Sequence, residues 1–374
     1  MNIGITCYPT VGGSGAVAAE LGKQLGRRGH SVHFVSYRLP FRLDDFHENI
    51  RYHEVDLSSY SLFEYPPHDL ALAAKMAEVG REQKLDLFHV HYAIPHAITG
   101  LLAQQMLGDD PPKLITTLHG TDITLVGQDR TFFEITKFGI VKSQGVTAVS
   151  EFLKRMTVEE FEVGEDIEVI PNFVDLSVYC HARAYRDRSA LAPPGSKILL
   201  HISNFRPVKR VVDVVRIFER VQREVPSVLL MVGEGPERAS AQALARRLGI
   251  DDRVRFLGRQ DHIEELTGIA DVFLLPSELE SFGLSALEAM ASGVPVIGSD
   301  AGGLPEVVKH TETGFVLPVG DIEGMAARAI EILKDDEHAR ELGQAGHRRA
   351  ASLFGAERIV SQYERFYETV LAKG

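Results

Sequence analysis

The sequence predicts an α/β fold of two Rossmann-like domains that face each other across a cleft. Three observations support this prediction. Apolar runs of strand length alternate with helix-length segments along nearly the whole chain, a pattern typical of parallel sheets. The alternation occurs in two series, and the first opens with a glycine-rich turn between a strand and a helix. At 374 residues the chain has the length of two domains, since single domains usually span ~100–200 residues.

The first series predicts an N-terminal domain over residues 1–170. Strands are predicted where short apolar runs occur, at residues 3–7, 31–36, 51–55, 85–91, 113–118, 145–150 and 167–172. Helices are predicted at residues 16–28, 69–83, 95–107 and 132–143. Gly29 ends the first of these helices, because glycine readily adopts the left-handed conformation that follows a helix.

The second series predicts a C-terminal domain over residues 171–355, whose first part is an irregular linker that ends near Pro194. Strands are predicted at residues 198–203, 228–232, 254–257, 271–275 and 294–297. Helices are predicted at residues 211–224, 237–248, 261–269, 305–310, 322–334 and 337–353, and a further helix opens at residues 281–283. A last helix, at residues 356–371, is expected to pack back on the N-terminal domain.

The balance of charge disfavours some classes of partner. The chain has 40 basic and 52 acidic residues, a formal net charge of −12, which argues against nucleic acid and anionic membranes as main partners. Residues 1–165 hold 15 Lys and Arg against 21 Asp and Glu, so a basic membrane-binding face is not expected there. Small-molecule substrates are therefore the expected partners, and a homo-oligomer stays open.

Cysteine usage and hydropathy predict a cytoplasmic protein. Cys7 and Cys180 are the only cysteines, so neither a disulfide framework nor a cysteine metal site is expected. No apolar run approaches the ~18 residues that a membrane span needs, and the sequence begins with a strand rather than a leader.

The stretch from residue 276 to 300 combines two carboxylates with the start of a helix. Gly283 stands where this helix opens, and its lack of a side chain lets a ligand approach the backbone closely. The first N–H groups of a helix lack partners and attract anions. Glu280 and Glu288 lie eight residues apart on either side of that opening, so their carboxylates could accept bonds from sugar hydroxyls. The stretch predicts a sugar-nucleotide site.

The glycine-rich turn after the first strand leaves three interpretations open. Gly13, Gly15 and Ala18 fit the loose pattern of a dinucleotide-binding turn. The acidic residue that such a site needs at the end of the second strand is absent, because Ser36 stands there. A loop that approaches another ligand and a purely structural turn are the alternatives.

Polar side chains follow several strands of the predicted first sheet. Ligands of parallel sheets bind at the carboxyl ends of the strands. Ser14, Tyr92, Thr117 and His119 all lie at or just beyond such ends, so we expect them to line one crevice.

With these residues in view, the chain resembles the GT-B family 4 retaining glycosyltransferases over nearly its whole length. The motifs that support the resemblance are Gly12–Gly15 (GGSG), residues 119–122 (HGTD), residues 171–172 (PN), Arg206 with Lys209, residues 233–235 (GEG), and Glu280 with Glu288. Any one of them is weak evidence, whereas the set together is specific.

The resemblance implies a UDP-sugar donor and a role for each motif residue. Arg206 and Lys209 would neutralise the departing diphosphate, Glu280 would hold the sugar hydroxyls, and Glu288 would hold the ribose. His119 and Asn172 would lie beside the donor sugar. The backbone around Gly13, Ser14, Phe282, Gly283 and Leu284 would bind the phosphates, and Gly258 would lie near the uracil. Asp122 is expected to cap a helix or orient the His119 ring.

No metal or other cofactor is expected. No two aspartates stand two residues apart, so the D-x-D metal motif of the other large glycosyltransferase fold is missing. His89 and His91 share one strand face, but no third ligand stands at a useful spacing. The resemblance further implies front-face transfer with retention of the anomer, in which the leaving phosphate helps to remove the acceptor's proton.

The acceptor is predicted from finer likeness within the family. Residues 5–15, 65–79, 89–97 and 117–124 resemble members that transfer N-acetylglucosamine from UDP-GlcNAc to L-malate, the first step of bacillithiol synthesis. Ser14, Tyr92, Thr116 and Thr117 would supply polar contacts, and Lys137, or else Arg130, would pair with a carboxylate. Another acceptor (a lipid, polysaccharide or inositol phosphate), a UDP-sugar 2-epimerase and a non-catalytic sugar-nucleotide sensor remain as alternatives.

Overall fold

The structure is a computed structural model that describes residues 1–9, 12–43, 46–56, 66–127, 129–179 and 188–373, without the side chain of Leu125. Cys180 and part of the predicted linker before Pro194 lie outside the described residues. The chain divides into two compact units. The first unit consists of residues 1–172 and the residues from Glu357 onward, and the second consists of residues 173–356. The first unit therefore contains both ends of the chain.

Thirteen strands are present in the described residues. They are β1 (Asn2–Thr6), β2 (Ser31–Ser36), β3 (Ile50–Glu54), β4 (Leu87–His91), β5 (Lys113–Leu118), β6 (Gly145–Ala148), β7 (Ile167–Val169), β8 (Lys197–Ile202), β9 (Ser227–Val232), β10 (Val254–Gly258), β11 (Val272–Leu275), β12 (Val296–Ser299) and β13 (Gly314–Leu317).

Each unit contains one parallel sheet. The first sheet has the order β3-β2-β1-β4-β5-β6-β7, and the second has the order β10-β9-β8-β11-β12-β13. The order reverses direction between β1 and β4 and again between β8 and β11, and such reversals open a crevice at the carboxyl ends of the strands. The prediction of two Rossmann-like α/β domains is confirmed, and the two reversals mark where ligands are expected.

Thirteen α-helices are present in the described chain. They are α1 (Gly13–Arg27), α2 (His68–Glu82), α3 (Ile98–Leu107), α4 (Phe133–Lys142), α5 (Glu151–Phe161), α6 (Val211–Glu224), α7 (Arg238–Leu248), α8 (Glu264–Thr267), α9 (Leu284–Ala291), α10 (Leu304–Val307), α11 (Ile322–Lys334), α12 (Asp336–Phe354) and α13 (Ala356–Ala372). Short π-helical turns at Ala93–Ala97 and Asp122–Val126 follow β4 and β5.

Two elements, α5 and β13, were not predicted, and several others, such as β7 and α8, are shorter than predicted. Helix α5 begins after Ser150, whose hydroxyl accepts a bond from the Leu153 amide. That serine is a helix-start signal that could have revealed α5. Strand β13 has only four residues at the sheet edge, too few to show a periodicity. Helix α8 is a single turn, because Gly268 follows it and the segment leads directly into β11.

Helix α13 packs on the first unit through two tyrosines. Tyr363 and Tyr367 are among the largest fully buried side chains. At the helix surface, Glu364 accepts bonds from Arg28 and lies 2.9 Å from His30 Nε2. Among the described residues, no helix has both the length and the hydropathy that a membrane crossing requires.

Candidate active site

In the second unit, the loop after β8 brings a lysine to a buried glutamate. Lys209 ends a short 3₁₀ turn, Pro207–Lys209, and its Nζ lies 2.7 Å from Glu280 Oε1. The Glu278 amide bonds the Val208 carbonyl at 2.8 Å, which ties this loop to the one after β11. These loops follow the two strands at the sheet's order reversal. The structure thus brings two of the predicted catalytic residues into direct contact.

Among the described residues, the Glu280 carboxylate is hydrogen-bonded through only one of its oxygens, Oε1. Both Lys209 Nζ and the Ser277 hydroxyl, which is 2.7 Å away, contact Oε1. The side chain is almost buried, and Oε2 has no bond among the described residues. Because a carboxylate oxygen accepts hydrogen bonds, Oε2 is the atom suited to a ligand hydroxyl.

A pair of glycines fixes the backbone of Glu280. The Gly303 amide donates to the Glu280 carbonyl at 2.7 Å. Gly302 adopts φ +69°, and a Cβ there would lie 2.0 Å from that carbonyl oxygen. Only glycine fits such a position. This contact has no local sequence signal, because Glu280 lies 22 residues earlier in the chain.

Arg206 lies on the same loop and remains exposed. Its guanidinium makes no ion pair within the described parts of the chain. The neighbouring Arg210 instead forms an ion pair with Asp213. Arg206 is therefore the accessible cation of the two.

Helix α9 opens as predicted on Gly283, although its first residue is Leu284 rather than Ser281. Gly283 has φ +95°, and its carbonyl accepts the Leu287 amide. The amides of the first helical turn therefore point outward without helical acceptors. The Phe282 ring is buried against Phe354, with ring centroids 5.6 Å apart, so only its backbone is suited to a phosphate contact.

Glu288 is held by Tyr179, which lies in the predicted irregular linker. The Tyr179 hydroxyl donates to Glu288 Oε1 at 2.7 Å, and both side chains are buried. A contact between residues 109 positions apart has no local sequence signal. The bond orients the carboxylate that is predicted to bind the ribose.

Gly258 lies at the end of β10, beside the turn that follows β9. Its carbonyl accepts the Gly233 amide at 2.8 Å, and it adopts φ +67°. A Cβ at Gly258 would lie 3.0 Å from Glu234 Oε1. The predicted uracil segment is therefore at the carboxyl edge of the sheet.

In the first unit, a pair of histidines lies at the ends of β4 and β5. His91 Nδ1 and His119 Nε2 are 2.8 Å apart. The Tyr92 ring lies 5.3 Å from the His119 ring. Burial lowers the pKa of His119 to about 3 and that of His91 well below its usual value. Both rings are consequently neutral at physiological pH.

Asp122 binds the backbone and not the histidine ring. Its carboxylate accepts bonds from the amides of Ala93 (3.0 Å) and Gly120 (2.9 Å). Burial raises the pKa of Asp122 to about 6, and these amide bonds oppose the rise. Of the two roles predicted for Asp122, orienting the ring is not observed, because His91 bonds the His119 ring instead. Asp122 instead fixes the backbone of the HGTD turn.

The two predicted acceptor threonines cannot line one pocket, since neighbours on a strand point to opposite faces. Thr116 shares a hydrogen bond with Ser143 at 2.8 Å, whereas Thr117 bonds His89 and Thr147. Both threonines are fully buried. The expectation that Thr116 and Thr117 contact an acceptor together is therefore corrected, and Thr117 supports the histidines instead.

Most of the other predicted residues of this unit lie near strand or helix ends. Gly13 and Ser14 begin α1, the first helix after β1. Tyr92 has φ +88°, and its amide bonds the Thr117 carbonyl. Asn172 is buried, and its Oδ1 has no hydrogen-bond partner among the described residues, which suits an acceptor for a ligand hydroxyl. Lys137 is half-buried on α4.

Several nitrogens of the buried histidines are already hydrogen-bonded within the protein. His89 bonds Thr117 and the Tyr367 hydroxyl, and His96 bonds the His91 carbonyl. Within the described ranges, no group of three His, Cys, Asp or Glu side chains is arranged to hold a metal ion.

Comparison with known proteins gives matches on both halves of the chain. The family described as Glycosyltransferase Family 4 matches residues 11–178, and that described as Glycosyl transferases group 1 matches residues 185–349. The N-acetyl-alpha-D-glucosaminyl L-malate synthase of Bacillus anthracis is 51% identical over 99% of this chain and 97% of that protein.

Solved structures share the architecture. Anabaena HepE in complex with UDP and glucose has a TM-score of 0.84 at 20% identity, covering 99% of this chain and 100% of that one. The sucrose-phosphate synthase of Thermosynechococcus elongatus has a TM-score of 0.81 at 25% identity and covers both chains fully. The predicted GT-B fold is confirmed by these similarities.

Proposed function

Because the chain belongs to the family 4 and group 1 glycosyltransferases, we propose that it transfers N-acetylglucosamine from UDP-GlcNAc to the hydroxyl of L-malate. The 51% identical relative bears the name of that activity. The observation that supports donor chemistry best is the Lys209–Glu280 contact beside the start of α9. This arrangement places a cation, a carboxylate that can accept hydrogen bonds from sugar hydroxyls, and the first amides of α9 at one edge of the sheet. The product, GlcNAc-malate, would enter bacillithiol synthesis.

The leaving diphosphate needs positive charge that is already in place in the transition state. Arg206 can bond two phosphate oxygens with its forked guanidinium, and Lys209 supplies a point charge. The first amides of α9 add partial positive charge. These groups supply the neutralisation in our proposal, and it needs no metal.

The two glutamates would hold the donor's hydroxyls. Glu280 bonds Lys209 through Oε1, so its Oε2 would bind the transferred sugar beside the phosphates. Glu288, oriented by Tyr179, would accept bonds from the ribose. In the first unit, His119 and Asn172 are the residues that the family resemblance assigns to the donor sugar.

We propose that the anomer is retained by front-face transfer. A covalent route needs a carboxylate free to attack the sugar. Glu280 is bonded to Lys209 and Ser277, and Asp122 accepts backbone amides on both oxygens. Such bonds lower the nucleophilicity of both groups and so favour front-face transfer, in which the leaving phosphate takes the proton of the acceptor's hydroxyl.

UDP release from UDP-GlcNAc, measured with a panel of acceptors, tests the function. We expect turnover with L-malate, little with D-malate, sugars or inositol phosphate, and no loss in EDTA. Proton NMR of the product should show the α-anomer. Conversion of UDP-GlcNAc without any acceptor would instead indicate an epimerase. Loss of turnover in EDTA that Mg²⁺ restores would contradict the metal-free mechanism.

Lys137 is the proposed partner of a malate carboxylate. It has no ion pair in the described portion of the chain, and the Lys137→Ala change should raise the malate KM about tenfold, the loss of one charged bond (~1.4 kcal/mol). The UDP-GlcNAc KM should stay nearly constant. Lys142→Ala, at the end of the same helix, is the matched control. An unchanged malate KM in the Lys137 variant would show that Lys137 does not bind a malate carboxylate.

A further inference from the structure

We propose that His91 is a positioning residue that fixes the tautomer of His119, so that His119 presents a protonated Nδ1 to the substrate. This inference rests on the proposed function for the identity of the substrate. The tautomer itself is a property of the free protein and can be measured without turnover.

The geometry allows only one proton between the two rings. His91 Nδ1 and His119 Nε2 are 2.8 Å apart, so one of these nitrogens donates and the other accepts. Two arrangements are possible for neutral rings, and they place the His119 proton on opposite sides of its ring.

The surroundings of His91 decide between them. His91 Nε2 is buried and has no hydrogen-bond partner in the described structure. If His91 carried its proton there, a buried N–H would have no acceptor, which is rarer in proteins than an unused lone pair. His91 therefore carries its proton on Nδ1 and donates it to His119 Nε2. His119 must then hold its own proton on Nδ1.

Contacts on every side hold the His91 ring in place. The His89 ring stacks on it at 4.6 Å between centroids. His89 is itself fixed by Thr117 at Nε2 and by the Tyr367 hydroxyl at Nδ1, both at 2.7 Å. The His91 carbonyl accepts a bond from His96. Because Tyr367 belongs to α13, that helix supports the ring that stacks on His91.

The other face of His119 is where a substrate can bond. The residue is partly exposed, and its Nδ1 has no partner among the described residues. A neutral imidazole with a proton on Nδ1 donates to a hydroxyl or phosphate oxygen and cannot accept a proton at that atom. His119 thus acts as a hydrogen-bond donor to the sugar and not as a general base.

Two substitutions of His91 distinguish a role in positioning His119 from a role in packing the core. His91→Asn keeps an N–H near the position of Nδ1, whereas His91→Leu removes it. We expect kcat to fall about 10- to 100-fold in His91→Leu, the usual effect of losing an orienting partner, and about threefold or less in His91→Asn. The KM for UDP-GlcNAc should change less than kcat in both.

A second histidine pair provides the matched control. His33 Nδ1 and His53 Nε2 are 2.9 Å apart on β2 and β3 of the same unit. His33→Leu breaks an equivalent bond at a buried ring, so it should lower stability and leave kcat unchanged. A folded His91→Leu protein with wild-type kcat would overturn the proposal.

The tautomers can be read directly by long-range ¹H–¹⁵N NMR of the imidazole rings. In the free wild-type protein, His119 and His91 should both appear protonated on Nδ1. In His91→Asn, His119 should keep that tautomer. A wild-type His119 protonated on Nε2 would overturn the inference, whatever acceptor the enzyme uses, so its failure is distinct from failure of the proposed function.

Discussion

Replacing Lys209 with methionine is expected to lower kcat/KM for UDP-GlcNAc by about 100- to 1000-fold. Methionine keeps the length of the side chain and removes its charge, and one group that stabilises a developing anion is typically worth that factor. Steady-state UDP release with saturating acceptor measures the effect. Activity within fivefold of wild type would show that Lys209 does not neutralise the departing diphosphate.

Stability and catalysis must be separated in this experiment, because Lys209 is also the ion-pair partner of Glu280. Removing one member of a buried ion pair leaves an unpaired charge, which lowers the free energy of unfolding by ~3 kcal/mol or more. The double variant Lys209→Met with Glu280→Gln removes that charge, so it should regain stability while staying inactive. Arg210→Met is the neighbouring control, since Asp213 keeps Arg216 as a partner.

Acidification from pH 7 to pH 5 is expected to destabilise the first unit by several kcal/mol. Burial lowers the pKa of His89 to about 3 and of His96 to about 4, and the pKa values of His91 and His119 are lowered as well. The unfolded chain takes up protons near pH 6.5, whereas the folded unit does not until the pH is far lower. Stability therefore falls as the pH drops below about 6.5.

The carboxyl group of Asp122 changes the stability of the first unit in the opposite direction. The pKa of Asp122 is raised to about 6, so folding takes up a proton there between about pH 6 and pH 4. This single stabilising effect is smaller than the sum from several histidines, each worth up to ~1.4 kcal/mol per pH unit.

Urea unfolding followed by circular dichroism at pH 7 and pH 5 measures the net change. His33→Asn, which removes one histidine whose pKa is lowered to about 4, should reduce the pH dependence by about one proton. Equal urea midpoints at the two pH values would contradict the prediction.

Much of the fold could be predicted because local periodicity determines its elements. Helix α6 was predicted with its observed bounds, since Val211, Val214, Val215 and Phe218 form one buried stripe. Strand β5 was likewise predicted in full. The strand order could not be derived in the same way, because it depends on which apolar faces pack together across the whole sheet.

The site was predictable only as a set of separate motifs. Glu280, Gly283 and Lys209 each lie next to a strand end or helix start, which the sequence shows. Their contacts join residues far apart in the chain, such as Lys209 with Glu280 and Tyr179 with Glu288. Such pairs follow from tertiary packing, for which the sequence has no local signal.

Helix α13 completes the core of the first unit from beyond the second unit in the sequence. Tyr363 and Tyr367, which fill that core, are translated after the whole of residues 173–356. The second unit can therefore be fully synthesised while the first still lacks this helix. A variant truncated after residue 356 should protect the second unit from protease and leave the first unit open to cleavage.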